Sequence, residues 1–130
     1  MAKRVMLVDD NPAIRAAVRQ IFSRGKTFVI CGEASNGQEA IDRVKTLRPH
    51  LIILDISMPV MNGTQAAPHL LRLAPSVCII FFAMFAGSEI HHVAQHLGVH
   101  AVVSKAEGAE KLIATAHSLL GLRADAASAS

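Results

Sequence analysis

The segment LIILD at residues 51–55 decides the fold class, because four consecutive apolar residues lead directly into an aspartate. A short apolar run without polar alternation is typical of a β-strand that is covered on both faces, as in a parallel sheet. Similar short apolar runs occur at residues 5–8, 28–31, 77–82 and 101–103. The sequence therefore predicts five strands, of which residues 51–54 form the third.

Segments with helical periodicity separate these runs. The first helix is predicted to begin near Asn11 and Pro12, because asparagine caps helices and proline suits the first helical position. The other helices are predicted over residues 37–47, from Gly63 onward, over residues 88–97 and over residues 108–120. Pro68 falls inside the third helix, and we expect it to bend that helix or to shift its start.

Five repeats of strand and helix predict an α/β domain with one five-stranded parallel sheet and helices on both faces. Right-handed crossovers leave few topologies, and the flavodoxin-like strand order 2-1-3-4-5 suits five strands best. We expect residues 1–121 to form this domain. Residues 122–130 are rich in alanine and serine, which predicts a flexible tail or the start of a linker.

The composition is that of a globular domain, with 52% hydrophobic and 18% charged residues among 130. Thirteen Lys and Arg against ten Asp and Glu give a net charge of +3, and this small excess is scattered along the chain. With no Trp or Tyr, it does not indicate nucleic-acid binding. No apolar run is long enough to cross a bilayer, and no signal peptide is recognisable. We therefore expect a cytoplasmic protein.

Charged residues follow the ends of three predicted strands: Asp9 and Asp10 after the first, Asp55 after the third and Lys105 after the fifth. The carboxyl ends of parallel strands share one edge of the sheet, so we expect these side chains to converge there. Grouped carboxylates repel one another unless a cation neutralises them, and oxygen ligands suit Mg²⁺. A divalent cation, a lysine and a free carboxylate favour phosphoryl transfer to that carboxylate, with Asp55 as the nucleophile.

Three sequence blocks carry a resemblance to a known family. They are VDD at residues 8–10, LDISMPVMNG at residues 54–63 and SK at residues 104–105. With these blocks in the family's order, the chain resembles the receiver domain of bacterial two-component response regulators over about residues 3–120.

The resemblance implies a role for each residue of the predicted site. Asp55 would be the phosphoacceptor, and Lys105 would contact the phosphoryl group. Asp9 and Asp10 would bind Mg²⁺ together with Asp55 and the backbone carbonyl of Ser57.

The resemblance also implies partners. A histidine kinase or a phosphotransfer protein would donate the phosphoryl group, and a fused or separate output domain would receive the signal. Homodimerisation through the face of the fourth and fifth helices is a further expectation. If the chain is complete, too few residues follow Gly121 to build a DNA-binding domain.

Two positions depart from the family pattern. The fourth strand ends in Ala83, where the family has a Thr or Ser whose hydroxyl donates a hydrogen bond to the phosphoryl oxygen. A hydrogen bond to a charged group is worth about 1.5–3 kcal/mol. Val102 stands where the family has an aromatic residue that rotates inward on activation, and Met84 and Phe85 could crowd the pocket.

Other functions stay open beside the phosphorylatable receiver. One alternative is a degenerate receiver that acts as a phosphorylation-independent interaction module, because Ala83 and Val102 alter the usual switch. A phosphohydrolase is a third hypothesis, but such enzymes place a second carboxylate two residues after the nucleophile, where this chain has Ser57. We therefore expect no substrate turnover.

A histidine pair on the predicted fourth helix suggests a different kind of site. His92 and His96 are four residues apart, and such a pair can chelate a transition metal. More often such a pair belongs to a solvated polar face, and we expect no cysteine or acid to complete its ligand set.

Overall fold

The computed structural model describes residues 1–122. The strands are β1 (Lys3–Val8), β2 (Phe28–Ala34), β3 (Leu51–Leu54), β4 (Cys78–Ala83) and β5 (Ala101–Ser104). The helices are α1 (Pro12–Phe22), α2 (Gly37–Leu47), α3 (Gly63–Leu73), α4 (Ser88–Leu97) and α5 (Gly108–Leu119). All neighbouring strands are parallel, in the order β2-β1-β3-β4-β5, which confirms the predicted fold class and strand order.

The two faces of the sheet carry separate apolar cores, because successive side chains of a strand point to opposite faces. Met6 and Ile52 pack on the face that α2, α3 and α4 cover. Leu7 and Ile53, the next residues along, pack on the face that α1 and α5 cover. This two-sided burial explains why the strand sequences are continuously apolar.

Strand β2 is longer than predicted and continues beyond residue 31, through Gly32 and Glu33, to Ala34. Its pairing with β1 shifts register between Val5 and Met6. A glycine, an acidic residue and a register shift all interrupt the apolar pattern, so the sequence predicted only the first half of the strand. The extension brings Glu33 and Ala34 to the same edge of the sheet as the predicted site.

Three asparagines start the helices that follow β1, β2 and β3. The side-chain oxygens of Asn11, Asn36 and Asn62 each accept a backbone N–H from the first turn of the following helix. The α3 helix begins at Gly63 and continues through Pro68 to its end at Leu73, so the proline does not shift its start.

The end of the described chain packs against the domain. The N–H of Leu122 donates to the carbonyl of His117 at 2.8 Å. Residues 123–130 of the predicted tail lie outside the described residues, so the domain boundary stays a prediction. No helix within residues 1–122 combines the length and the apolar character that crossing a membrane requires.

Candidate functional site

Pairing of β1 with β3 brings two aspartates together at the carboxyl edge of the sheet. Asp9 follows β1 directly and Asp55 follows β3 directly. The N–H of Asp55 donates to the carbonyl of Val8 at 2.9 Å, so the pairing of the strands extends into the site. Both aspartates are only 5% exposed. Two buried carboxylates side by side require a compensating positive charge.

Lys105 supplies that charge from the end of β5. Its Nζ lies 2.9 Å from Asp9 Oδ2 and 3.2 Å from Asp55 Oδ2. A short 3₁₀ turn, Lys105–Glu107, follows the strand, and Ser104 caps it by accepting the N–H of Ala106 at 3.1 Å. The Glu107 carboxylate accepts the N–H of Ser104 at 2.9 Å. This capping box fixes the backbone from which the lysine reaches the aspartates.

The charges in this cluster shift one another's titration. Burial raises the pKa of Asp55 above its ordinary value, the charge of Asp9 raises it further, and the Lys105 ammonium limits the rise. Burial by itself lowers the pKa of Lys105, but hydrogen bonds and charges from the two aspartates outweigh it, and the net pKa is raised. The lysine therefore stays protonated at neutral pH.

Asp10 completes a group of three carboxylates. Asp9, Asp10 and Asp55 each offer an oxygen atom, and these atoms lie within 4.8 Å of one another. Asp10 is exposed, whereas the other two are buried. An all-oxygen donor set with one side open to water fits Mg²⁺ better than it fits a soft metal. Ser57, whose carbonyl is the fourth predicted ligand, lines the same cavity.

The cavity beside these carboxylates has a volume of about 420 Å³ and two unlike walls. Asp10, Asp55 and Lys105 line the charged wall, and Ala83, Met84 and Phe85 belong to the apolar one. Ala83 is 3% exposed and presents a methyl group where a hydroxyl would face the charged wall. The side chains of Met84 and Phe85 are 67% and 79% exposed. These two residues therefore border the mouth of the cavity without filling it.

The loop between β3 and α3 passes close beneath Asp55. A Cβ atom on Gly63 would lie 2.2 Å from the carbonyl oxygen of Asp55, so only glycine fits there. Earlier in the loop, the N–H of Met61 donates to the carbonyl of Pro59 at 2.7 Å, which closes a three-residue turn around Val60. Val60 has φ +67° and is 82% exposed. A β-branched residue rarely adopts this strained conformation.

Val102 lies away from this cavity, in a groove of about 500 Å³ between α4 and β5. The groove floor is made of small apolar residues that include Ala94 and Val102, and His91 and His92 line its edge. Asp9, Asp10 and Asp55 are the one set of three potential metal ligands found among residues 1–122. The described part of the chain therefore offers no third ligand that would complete a site with His92 and His96.

Two residues next to the site, Arg15 and Glu33, were not predicted from the sequence. Arg15 Nε lies 3.0 Å from Glu33 Oε1, and Arg15 Nη1 donates to the carbonyl of Asp9 at 2.5 Å. Arg19 binds the other Glu33 oxygen at 2.6 Å. The four-residue spacing of the two arginines places them on one face of α1, but their partner lies in the part of β2 that the apolar pattern did not predict.

Comparison with known protein families agrees with this geometry. A family model described as the response regulator receiver domain matches residues 5–117. The chain is 38% identical over 80 residues to the chemotaxis protein CheY of Thermotoga maritima, a match that covers 62% of this chain and 66% of that protein. It is 34% identical over 105 residues, 80% of its length, to a protein-glutamate methylesterase/protein-glutamine glutaminase of Methanosarcina acetivorans. That match spans only 30% of the methylesterase's own length.

Solved structures show the same architecture. The crystal structure of a LuxR-family two-component response regulator from Aurantimonas sp. SI85-9A1 superposes with a TM-score of 0.87 at 27% identity, covering 95% of this chain and 89% of that one. The response regulator domain of Thermotoga maritima CheB superposes with a TM-score of 0.76 at 26% identity, covering 84% and 82% of the two chains.

Proposed function

This chain belongs to the response regulator receiver domain family, and from that premise we propose that it accepts a phosphoryl group on Asp55 in a Mg²⁺-dependent reaction. The observation that carries the proposal is the contact of one ammonium group with two buried carboxylates beside an open cavity. Lys105 Nζ lies within 3.2 Å of both Asp9 and Asp55, and the cavity adjoins Asp55 directly.

Asp55 is the nucleophile in this proposal. Its Oδ1 accepts the N–H of Ile56 at 2.8 Å, which fixes the carboxylate plane. An oxygen of Asp55 forms a bond to phosphorus, and the bond from phosphorus to the donor's leaving atom breaks, so that the leaving group departs with the electron pair. The product is an acyl phosphate. Lys105 then contacts the phosphoryl oxygens as a point charge, since its ammonium already lies 3.2 Å from the Asp55 carboxylate.

Receiver domains bind Mg²⁺ in an acidic pocket, and in this chain Asp9, Asp10 and Asp55 would hold it, together with the carbonyl of Ser57. The three carboxylates satisfy the distance and chemistry that such a site needs. An ion held there would neutralise the negative charge of the phosphoryl oxygens. Asp10 is the exposed member, so it lies on the side from which a hydrated ion enters.

The donor in this proposal is a histidine kinase or a phosphotransfer protein, and the signal passes to a partner or to an output domain. Residues 1–121 form the receiver, and residues 122–130 form a tail or the start of a linker. Ala83 and Val102 favour one second candidate, a receiver that binds partners independently of phosphorylation, because neither side chain can supply the family's usual switch.

Intact-protein mass spectrometry after incubation with Mg²⁺ and acetyl phosphate tests the proposal. We expect the unchanged protein to gain the mass of one phosphoryl group. The Asp55→Ala variant and a sample with EDTA are expected to gain none, because one lacks the nucleophile and the other lacks the cation.

An unlabelled protein under conditions that label an ordinary receiver would overturn the acceptor function and support the phosphorylation-independent module. An adduct that survives in Asp55→Ala would show that another residue carries the phosphoryl group.

A further inference from the structure

Asp9 is held at every polar atom, and the partner of its carbonyl oxygen is a charged side chain, Arg15, that has no part in the proposed chemistry. Its N–H donates to the carbonyl of Ala34 at 3.0 Å, and its Oδ1 accepts the N–H of Asn11 at 2.9 Å. Its Oδ2 binds Lys105 at 2.9 Å. Its carbonyl oxygen accepts a hydrogen bond of 2.5 Å from Arg15. The last contact fixes the peptide that joins Asp9 to Asp10.

The orientation of that peptide restricts where the Asp10 side chain can point. The carbonyl of Asp9, the N–H of Asp10 and both flanking Cα atoms lie in one plane, because the peptide bond does not rotate freely. The Asp10 side chain is exposed, so packing does not fix it from outside. A guanidinium that holds the Asp9 carbonyl therefore fixes one of the two peptide planes that flank the Asp10 Cα atom. The Asp10 carboxylate can then move only by rotation about the bonds of Asp10 itself, so fewer directions are open to it.

Arg15 is itself held in place by a neighbouring carboxylate. Its Nε lies 3.0 Å from Glu33 Oε1, and the two side chains are 20% and 25% exposed. Arg19 also engages Glu33, at 2.6 and 2.9 Å, but Arg15 reaches the glutamate and the Asp9 carbonyl through its own nitrogen atoms. A partly buried arginine with two fixed acceptors has little freedom to move away.

We propose that Arg15 is a positioning residue for the metal site, because it connects Glu33 of β2 to the Asp9 carbonyl and so orients Asp10 toward the cation. The inference rests on the proposed function, in which Asp10 binds Mg²⁺. Mg²⁺ requires nearly ideal octahedral geometry, so a small rotation of one carboxylate weakens binding. Residues that orient metal ligands change metal affinity about 10-fold to 100-fold when they are replaced.

The chain offers a matched control for this proposal. Arg19 shares the helix, the charge and the Glu33 partner of Arg15, but its side-chain hydrogen bonds go to Glu33 and not to Asp9. If the ion pairs of Glu33 with the two arginines serve only to stabilise the packing of α1 on β2, Arg15→Gln and Arg19→Gln both lower the free energy of unfolding, and neither changes the Mg²⁺ affinity. If Arg15 orients Asp10, only Arg15→Gln changes the affinity.

The experiment measures the Mg²⁺ dissociation constant of the full chain by isothermal titration calorimetry, without any phosphoryl donor. Urea unfolding in EDTA shows that each variant is folded and how much stability it has lost. We expect Arg15→Gln to raise the dissociation constant about 10-fold, and Arg19→Gln to leave it unchanged. Arg15→Lys is expected to fall between, because an ammonium can still donate one hydrogen bond to the Asp9 carbonyl.

The dissociation constants distinguish a failure of the positioning role of Arg15 from a failure of the proposed function. Equal dissociation constants for the unchanged protein and Arg15→Gln would overturn the inference and leave the proposed function standing. An equal rise in Arg15→Gln and Arg19→Gln would also overturn it, because general loosening would then be the cause. An unchanged protein that binds no Mg²⁺ would overturn the proposed function, and the inference with it.

Discussion

The carboxylate pocket and the α4–β5 groove are two depressions of similar size, about 420 and 500 Å³, with opposite construction. In the pocket, buried charges contact one another directly, and Lys105 binds two aspartates at once. In the groove, small apolar side chains such as Val102 form the floor, and exposed histidines form the edge. The pocket is therefore fixed to one geometry that defines its chemistry, whereas the groove has few fixed contacts that would define a partner.

We expect the largest effect from removal of the Lys105 charge, which tests whether the buried carboxylates of the pocket depend on it. Lys105→Met leaves Asp9 and Asp55 buried without a cation, and we expect it to lower the free energy of unfolding in EDTA by about 3 kcal/mol. Mg²⁺ should restore part of the loss, because it neutralises the same carboxylates. Urea unfolding with and without Mg²⁺ measures both effects.

Lys111→Met is the control for the lysine variant, because Lys111 is exposed on α5 and we expect little change there. Equal stability of the two variants would show that the pocket does not depend on its ion pairs.

Gly63 beside the pocket and Gly87 before α4, the helix that borders the groove, differ in the space that each leaves for an added methyl group. Gly63→Ala places a methyl group 2.2 Å from the Asp55 carbonyl oxygen, so the backbone must shift, at a cost of about 2 kcal/mol. Gly87 precedes α4, and no atom beyond the adjacent residues lies within 4 Å of the position that an added methyl group would take there, so Gly87→Ala should cost less than about 1 kcal/mol. Thermal unfolding of the two variants gives the comparison, and a smaller loss for Gly63→Ala would contradict it.

A hydroxyl on the apolar wall should strengthen the phosphorylated state. Ala83→Ser adds a donor at the end of β4, and a hydrogen bond to a charged oxygen contributes about 1.5 kcal/mol, which is roughly tenfold in an equilibrium constant. We expect a higher phosphorylated fraction at a fixed acetyl phosphate concentration, measured by intact mass. A fraction equal to that of the unchanged protein would mean that another group already donates this hydrogen bond.

The smallest effect concerns Glu33 at the border of the pocket. Hydrogen bonds and charge from Arg19, followed by those from Arg15, hold the pKa of Glu33 below its ordinary value. A lowered folded-state pKa stabilises the fold above the unfolded-state pKa of about 4.3, and this contribution is lost as the pH falls through the folded-state pKa.

Glu33→Gln should therefore reduce stability by about 0.5–1 kcal/mol at neutral pH and flatten its decline below about pH 4.3. Denaturant unfolding from pH 3 to pH 7 measures the two profiles. Parallel profiles for Glu33→Gln and the unchanged protein would show that the ion pairs contribute nothing.

The sequence predicted the elements whose apolar pattern is continuous, and it predicted the site because charges follow those elements. Residues 51–55 combine a fully buried strand with the acidic residue that ends it, so the same five positions predicted both the strand and the site. The shared edge of the sheet then required Asp9, Asp55 and Lys105 to converge, as they do.

Contacts between distant segments could not be predicted in this way. The second half of β2 contains Gly32 and Glu33, and its register shift relative to β1 depends on tertiary packing. The hydrogen bond from Arg15 to the Asp9 carbonyl involves a main-chain atom, which carries no residue-specific signal. The positive φ of Val60 is also imposed by the loop, because valine by itself disfavours it.

The strand order also has a consequence for the sequence of folding events. Strand β1 lies between β2 and β3, so the aspartates at the ends of β1 and β3 meet as soon as that central pair forms. Lys105 follows β5, which is an edge strand and the last of the five to leave the ribosome. A nascent chain in which β1 and β3 pair before β5 is made would therefore hold the two carboxylates side by side without the lysine, and at that stage a free Mg²⁺ ion could neutralise them.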